Sequence, residues 1–264
     1  MTKVSYKSTK EGEIKYVQNL NEEGVQWLFD KPFGLTDFTS VHLKDFSIML
    51  TLLKPQKYDL ILDIGCGSGW TTEFLARCGL NVIGLDIASS MLKIAKERIK
   101  KMYTVDYIST INLNFIVGDA EEFPFKNNIF DGILFYDSLH HIPDWKAAVH
   151  NAFLALKENG KVIFLEPSSD HFDTGVMEKY GVLERGIHPF ELKKYLKKIG
   201  FKDVTIRLPV YYPVHVETLK GKVIRFLKQT SFRSIPLIDF CVLPMHSLLA
   251  MYLLKKKCIV IATK

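Results

Sequence analysis

Leu60-Ile61-Leu62-Asp63-Ile64-Gly65-Cys66-Gly67-Ser68-Gly69 is the stretch whose reading decides the fold of this 264-residue chain. Its first five residues are apolar but for one acid, the pattern of a strand covered on both faces. Three glycines at alternate positions then turn the chain sharply, and a helix opens at Trp70-Thr71. Glycine leaves room for backbone amides to approach a ligand where a Cβ would collide. The helix that follows turns its positive end toward that ligand. The run reads as a cofactor loop of the nucleotide type.

Outward from it, strands and helices alternate. Strands are expected at Asp59–Ile64, Asn81–Asp86, Leu113–Gly118, Ile129–Tyr136 and Lys161–Glu166, with helices over Gly69–Cys78, Ser89–Met102 and Trp145–Leu156. This is the pattern of a parallel sheet with helices on both faces. Pro189-Phe190-Glu191 starts a further helix that Gly200 ends, and strands follow at Val204–Leu208 and Cys258–Ala262. Before the loop, residues 1–20 read as irregular or weakly helical. A short helix over Asn21–Asp30 presents Trp27, and a second starts at Ser40, with Phe46, Met49, Leu50 and Leu53 on one face.

Hydrophobic content of 47% and charged content of 24% are those of an ordinary globular protein. The four cysteines show no paired spacing, so neither a metal site nor a structural disulfide is expected. The N-terminus carries no secretory pattern, and a cytoplasmic location is the expectation. The net charge of +6 is uneven. Residues 191–264 hold 12 Lys and 3 Arg against 4 acids, so the first 190 residues are net acidic. A basic C-terminal third suits an acidic small molecule or an anionic lipid surface, and no interleaved aromatics point to nucleic acid. The apolar run Ile235–Leu254 contains Asp239, His246 and two prolines, which argue against a membrane span. Residues 209–256 read instead as a helical insertion, either a lid shaping the acceptor pocket or a peripheral membrane-surface element.

Charge discriminates between cofactors. A dinucleotide loop wants G-x-G-x-x-G and tolerates no acid facing a pyrophosphate. Here the loop is G-x-G-x-G behind Asp63, and a second carboxylate, Asp86, ends the next strand, where it can accept both hydroxyls of a ribose. S-adenosylmethionine (SAM) has an ammonium, a sulfonium and a ribose and no phosphate, and it suits these acids. A nicotinamide oxidoreductase is the less favoured alternative, and a non-catalytic SAM-binding scaffold is the other.

The segments LDIGCGSGW (62–70), GLD (84–86), GDAEEFPF (118–125), FDGILFYDSLHHIPD (130–144) and GKVIFLEP (160–167) resemble class I SAM-dependent methyltransferases. More narrowly they resemble the type 11 small-molecule branch that includes ubiquinone and menaquinone methylases. The resemblance implies a doubly wound, Rossmann-like, mostly parallel seven-stranded α/β sheet with an antiparallel last strand. It divides the chain into an N-terminal helical lid (1–57), a SAM-binding core (58–208), the insertion (209–256) and a final core strand (257–264). It further implies that Asp63 orients the methionine ammonium, Gly65 and Gly67 pass close to the cofactor, and Asp86 binds the ribose. Ile87 would pack on the adenine, Asp119 and the Ala120 amide would meet its edge, and the Tyr136 backbone would complete the ammonium cage.

For the chemistry, His140 and His141 follow the fourth strand, and either would serve as a base toward a hydroxyl acceptor. Asp137 and Glu166, at strand ends, are next in line, and His171 and His188 flank an irregular segment that would enter the pocket. Tyr16, Trp27 and Phe33 are candidates for a lid over the cofactor and acceptor. The acceptor expected is a small or lipid-linked molecule methylated on oxygen.

Overall fold

A computed structural model of the protein describes residues 6–122, 125–168, 175, 179–207 and 257–264. The expected insertion at 209–256, His171 and the end of the strand at Leu208 lie outside them.

The N-terminal region comprises α1 (Tyr6–Lys15), a single 3-10 turn, α2 (Glu22–Asp30) and α3 (Thr36–Leu53). The core follows as β1 (Leu60–Ile64), α4 (Trp70–Arg77), β2 (Asn81–Asp86), α5 (Ser89–Met102), α6 (Val105–Ile108), β3 (Leu113–Val117) and β4 (Phe130–Tyr136). Then come α7 (Trp145–Ala155), β5 (Leu156–Pro167), α8 (Pro189–Ile199), β6 (Lys202–Arg207) and β7 (Lys257–Thr263). The strands form one seven-stranded sheet in the order β3-β2-β1-β4-β5-β7-β6. β7 runs antiparallel to both β5 and β6, and the other pairings are parallel. Strand order reverses between β1 and β4, so their carboxyl ends open the crevice where such sheets bind ligands.

The central strands β1 and β4, and β5 from Val162 on, are largely apolar because both faces are covered there. On one face Leu62, Ile133, Phe135 and Phe164 pack with Ala148 and Ala152 of α7 and Leu192 and Leu196 of α8. On the other, Ile61, Leu134, Ile163 and Ile259 pack with Met49 and Leu53 of α3 and Leu75 of α4.

Three local readings are corrected. Residues 6–15 are helical despite their polar sequence, because α1 lies along the site and Lys10 ties it there through two carboxylates. α3 begins at Thr36, four residues before Ser40, and its buried side is His42, Asp45, Met49, Leu52 and Leu53. Phe46 and Leu50 are only partly covered. β5 starts at Leu156 rather than Lys161, since a register shift beside Phe130 and Gly132 lets Leu156 pair with Phe130 before the regular ladder resumes.

A buried ion pair anchors the N-terminal helices over the crevice. Arg98 of α5, 1% exposed, donates through Nε to Glu73 of α4 at 2.8 Å and through Nη1 to the carbonyls of Phe29 and Lys31. Tyr103 donates to the other Glu73 oxygen. The end of α2, with Trp27 and Lys31, is thereby fixed above the carboxyl end of the sheet.

Candidate active site

A cavity of about 610 Å³ opens at the carboxyl ends of β1, β2 and β4. Its floor is the glycine loop. The Gly65 and Cys66 amides donate to the Leu85 carbonyl at 2.8 and 3.1 Å, which pins the turn to β2. Gly65 has φ +69°, and a Cβ there would come within 2.4 Å of the Ser138 Cβ, so only glycine fits. At Gly67 (φ +53°) a Cβ would meet nothing within 4 Å; the space above it is room for a ligand. Asp86 shapes the loop from the side, accepting the Gly67 and Ala88 amides at 2.8 Å each. Burial pushes its carboxyl up to about 6, with Glu13 and Asp63 adding repulsion against the two amide bonds.

Asp63 lies beneath the loop and does not line the cavity. It is 1% exposed and accepts the Thr71 and Thr72 hydroxyls at 2.5 and 2.7 Å, holding the first turn of α4. Burial raises its pKa against those hydroxyl bonds. Gly65, Gly67, Asp86, Ile87, Asp119, Ala120 and Tyr136 all line the cavity. Asp119 and Glu121 are each bridged at 2.7 Å by Lys10 from α1.

The histidine pair is brought to the cavity wall, with ring centres 3.9 Å apart. His141 Nδ1 donates to the Leu183 carbonyl at 2.6 Å and lies 3.3 Å from Glu13. Burial alone would lower its pKa, but Glu13, Glu184 and the Leu183 carbonyl raise it to about 9. At neutral pH it is a cation and has no lone pair for a proton. His140 places Nδ1 2.7 Å from Glu166 and Nε2 3.7 Å from Glu184. Glu166 is fully buried outside the cavity lining and accepts the Ser138 and Leu139 amides at 3.1 and 3.0 Å. It holds the turn after β4 rather than facing a substrate. Burial, then Asp137, push its carboxyl up to about 7. His140, His141 and Glu184 bring one ligand atom each within 4.8 Å, a spacing a cation would also accept.

Among the expected substrate contacts, Trp27 and Asp137 line the cavity, and Phe33 and His188 do not. Phe33 is 51% exposed beside Phe74. Buried Ile187 fills the core where the chain passes β5 and leaves His188 at the start of α8. Asp137 is met by Lys257 of β7 at 3.1 Å. Burial would raise its carboxyl, but Lys257, His140 and Lys31 keep it below the usual value.

Sequence reasoning missed the far wall. There Tyr136 Oη lies 2.7 Å from His42 Nδ1 and donates to Asp45 at 2.9 Å, and Lys257 reaches the same Asp45 oxygen at 3.0 Å. Trp27, Phe38 and Trp70 complete the wall, with the Lys31 ammonium 4.1 Å above the Trp27 ring. The available signal was two polar residues three apart, His42 and Asp45, on the otherwise apolar buried face of α3.

The donor set fits a cationic nucleoside rather than a pyrophosphate. Glu13, Asp86, Asp119, Glu121, Asp137 and Glu184 all line the cavity, and the Ser68 hydroxyl in the loop is buried with no partner among the described residues. A doubly wound sheet with an acid-rimmed glycine loop at its switch point defines a nucleotide-cofactor enzyme of the SAM-binding kind.

The comparisons name the family. The profile described as Methyltransferase domain, type 11, matches residues 62–164. The chain is 27% identical over 199 residues to the ubiquinone biosynthesis O-methyltransferase of Coxiella burnetii, covering 71% of this chain and 80% of that one. It is 30% identical over 163 residues to the demethylmenaquinone methyltransferase of Lactococcus lactis, covering 58% and 62%. In fold it is similar to phosphoethanolamine N-methyltransferase 2 of Haemonchus contortus, solved with SAM, at a TM-score of 0.63 and 20% identity. The match takes in all of this chain and 60% of that one, so the chain spans about three fifths of that enzyme. The chain belongs to the class I SAM-dependent methyltransferases, and SAM is its cofactor. Among the described residues no helix is long and apolar enough to cross a membrane.

Proposed function

We propose that this methyltransferase acts on a ring hydroxyl of a small aromatic acceptor of the quinol kind, including acceptors that carry a lipid tail. The observation that carries the reading is the far wall of the cavity. Trp27, Phe38, Trp70 and Tyr136 offer flat apolar faces to a ring, and Lys31 and Lys257 offer positive charge to an oxygen losing its proton. The name of the ubiquinone biosynthesis O-methyltransferase supports transfer to oxygen, and that of the demethylmenaquinone methyltransferase supports a quinone-type ring. The apolar run Ile235–Leu254 would favour a lipid tail or a membrane surface, and it lies outside the described residues.

When bound, SAM supplies an electrophilic methyl on a sulfonium. The chain's own part is placement. Asp86 would hold the ribose hydroxyls, Asp119 and the Ala120 amide would meet the adenine edge, and Ile87 would pack against the adenine. The Tyr136 backbone takes the ammonium, and Asp63 stiffens the loop and adds negative charge beneath it. Trp27 and Trp70 keep water from the line between donor and acceptor, where orientation and dryness supply most of the acceleration.

Calorimetry with S-adenosylhomocysteine, followed by tritiated-methyl transfer from SAM to demethylmenaquinol and to catechol, tests the proposal. The expected result is binding and label on a ring oxygen of the extracted product, as a methyl ether; label on ring carbon alone refutes the hydroxyl reading. Binding with no transfer to any hydroxylated ring refutes it and favours the scaffold alternative. Binding of NADH in place of S-adenosylhomocysteine would refute the cofactor assignment itself.

A further inference from the structure

We propose that His42 is the base that takes the acceptor's hydroxyl proton, with Tyr136 and Asp45 as the positioning residues that fix its tautomer; this rests on the hydroxyl-methylation reading above. The argument is one of counting protons. Tyr136 Oη has one hydrogen and two close neighbours, His42 Nδ1 at 2.7 Å and Asp45 Oδ2 at 2.9 Å. Asp45 is paired with Lys257 at 3.0 Å and is therefore a carboxylate that only accepts. The phenol must donate to Asp45, so its oxygen accepts from His42 Nδ1–H. That leaves Nε2 without a proton and with its lone pair free.

Nε2 is shut away from solvent and has no hydrogen-bond partner among the described residues. His42 itself is 8% exposed and lines the cavity wall with Trp70, 5.4 Å away between ring centres, and Phe38, 6.3 Å away. A buried acceptor atom left unbonded is costly, and an acceptor hydroxyl admitted to it by a small opening of that wall would satisfy it. The charged groups around the ring are Lys31 beyond α2, Asp45 on α3, Asp137 after β4 and Lys257 on β7. Burial, then Lys31 and Lys257, hold His42 down to about 4 against the opposite pull of Asp137. It is neutral at working pH, whereas His141 is not.

The step balances. The acceptor oxygen forms its bond to the methyl carbon as the carbon–sulfur bond breaks, and that electron pair stays on sulfur as a neutral thioether. The hydroxyl proton passes to Nε2. As the new bond forms, the oxygen becomes far more acidic than a histidinium, so a weak base suffices. Nδ1–H then hands a proton to Tyr136 and the phenol hands its own to Asp45, whose carboxyl burial pushes up to about 6.

Two measurements decide it. Nitrogen NMR of histidine-labelled protein reads the tautomer without turnover. Nε2 is expected unprotonated from pH 7 to 8, where Asp45 is ionised, and Y136F is expected to mix the tautomers. A proton on Nε2 in the wild type overturns the proposal. In the transfer assay, H42N is expected to lower kcat on catechol by about 100-fold or more, in the range of general-base catalysis. On 4-nitrocatechol, whose hydroxyl is already ionised near neutral pH, the loss should be about tenfold or less. Equal losses on both rings would mean a packing role and overturn the proposal. S-adenosylhomocysteine binding should stay within about threefold of wild type, since the base faces the acceptor. Y136F carries the same comparison if H42N does not fold. If the wild type binds S-adenosylhomocysteine and methylates neither ring, the hydroxyl reading fails and the tautomer alone decides this one.

Discussion

Replacing Asp86 by Asn separates the loop's stability from its grip on the cofactor, and the two should move in opposite directions. The Asp86 carboxyl is pushed up to about 6, chiefly by burial and then by Glu13 and Asp63, while the Ala88 and Gly67 amides pull the other way. A folded-state pKa above the unfolded value contributes stability that is present below pH 4 and lost as pH rises through 6. From this group the loss is up to about 3 kcal/mol by linkage. D86N removes it, so the free variant should melt above wild type at pH 7, and by less at pH 4. On the proposed reading, cofactor binding would need the carboxylate. If only the ionised form binds, the dissociation constant of S-adenosylhomocysteine rises about tenfold between pH 7 and pH 5, which is about 1.4 kcal/mol. The amide keeps one acceptor oxygen and loses the charge, so at pH 7 its affinity should drop by about 1.5–3 kcal/mol, or roughly 10–150-fold. Calorimetry from pH 5 to 8, in buffers of different ionisation heat, counts the protons released. Asp45 at about 6 and Glu166 at about 7 titrate in the same window, so the difference between wild type and D86N is the informative quantity. A wild-type affinity flat across this range, or a tenfold loss that survives in D86N, refutes the reasoning.

In G67A the new Cβ meets no protein atom, so the variant should fold with only the left-handed backbone cost of about 1–2 kcal/mol, read by urea titration. Its S-adenosylhomocysteine affinity should fall by more than about tenfold, because the methyl occupies ligand room; unchanged affinity would place the cofactor elsewhere. R98M strands the buried Glu73 carboxylate and should cost about 3–5 kcal/mol, with the double variant R98M/E73M recovering most of it. No recovery in the double variant would mean that the Arg98 bonds to the Phe29 and Lys31 carbonyls matter more than the ion pair. K10M releases Asp119 and Glu121 from a partly exposed pair, so stability should change by less than about 1 kcal/mol. Calorimetry should then show S-adenosylhomocysteine binding tighter, since Lys10 no longer competes for Asp119; weaker binding would make Lys10 a cofactor contact.

The sheet was legible because its signals are local. A strand buried on both faces announces itself as an apolar run, and the glycine loop and the acids at the ends of β2 and β3 sit at fixed short distances from those runs. Asp63 shows the limit of that reading. Its place in the sequence is that of a ligand-facing acid, yet its carboxylate is turned under the loop by two hydroxyls eight and nine residues on. His188 and Phe33 were chosen for residue type beside irregular segments, and neighbours distant in sequence decide where such residues sit. The far wall was illegible for the same reason. Asp45 and Lys257 are 212 residues apart, and nothing in either neighbourhood marks the other.

Charge is divided along the cavity in a way that bears on which end does what. The loop end carries Asp86, Asp119, Glu121 and Glu13; the opposite end carries Lys31, just past α2, and Lys257 of β7, which is met by Asp45 and Asp137. A cationic cofactor lowers its energy at the first end and raises it at the second, so the field orients it before any hydrogen bond forms. At the second end the two lysines favour the ionised form of an acidic hydroxyl and disfavour a second cation. Burial, and after it these lysines, hold His42 neutral, and the lysines would disfavour an amine acceptor in its protonated state. On the proposed reading the same lysines would favour oxygen over nitrogen at the reacting atom. Replacing Lys31 by Met should narrow that preference, raising transfer to an aliphatic amine such as dopamine's side chain relative to its ring hydroxyls. Unchanged product ratios, read by mass spectrometry of the methylated dopamine, would sink the electrostatic account of acceptor choice.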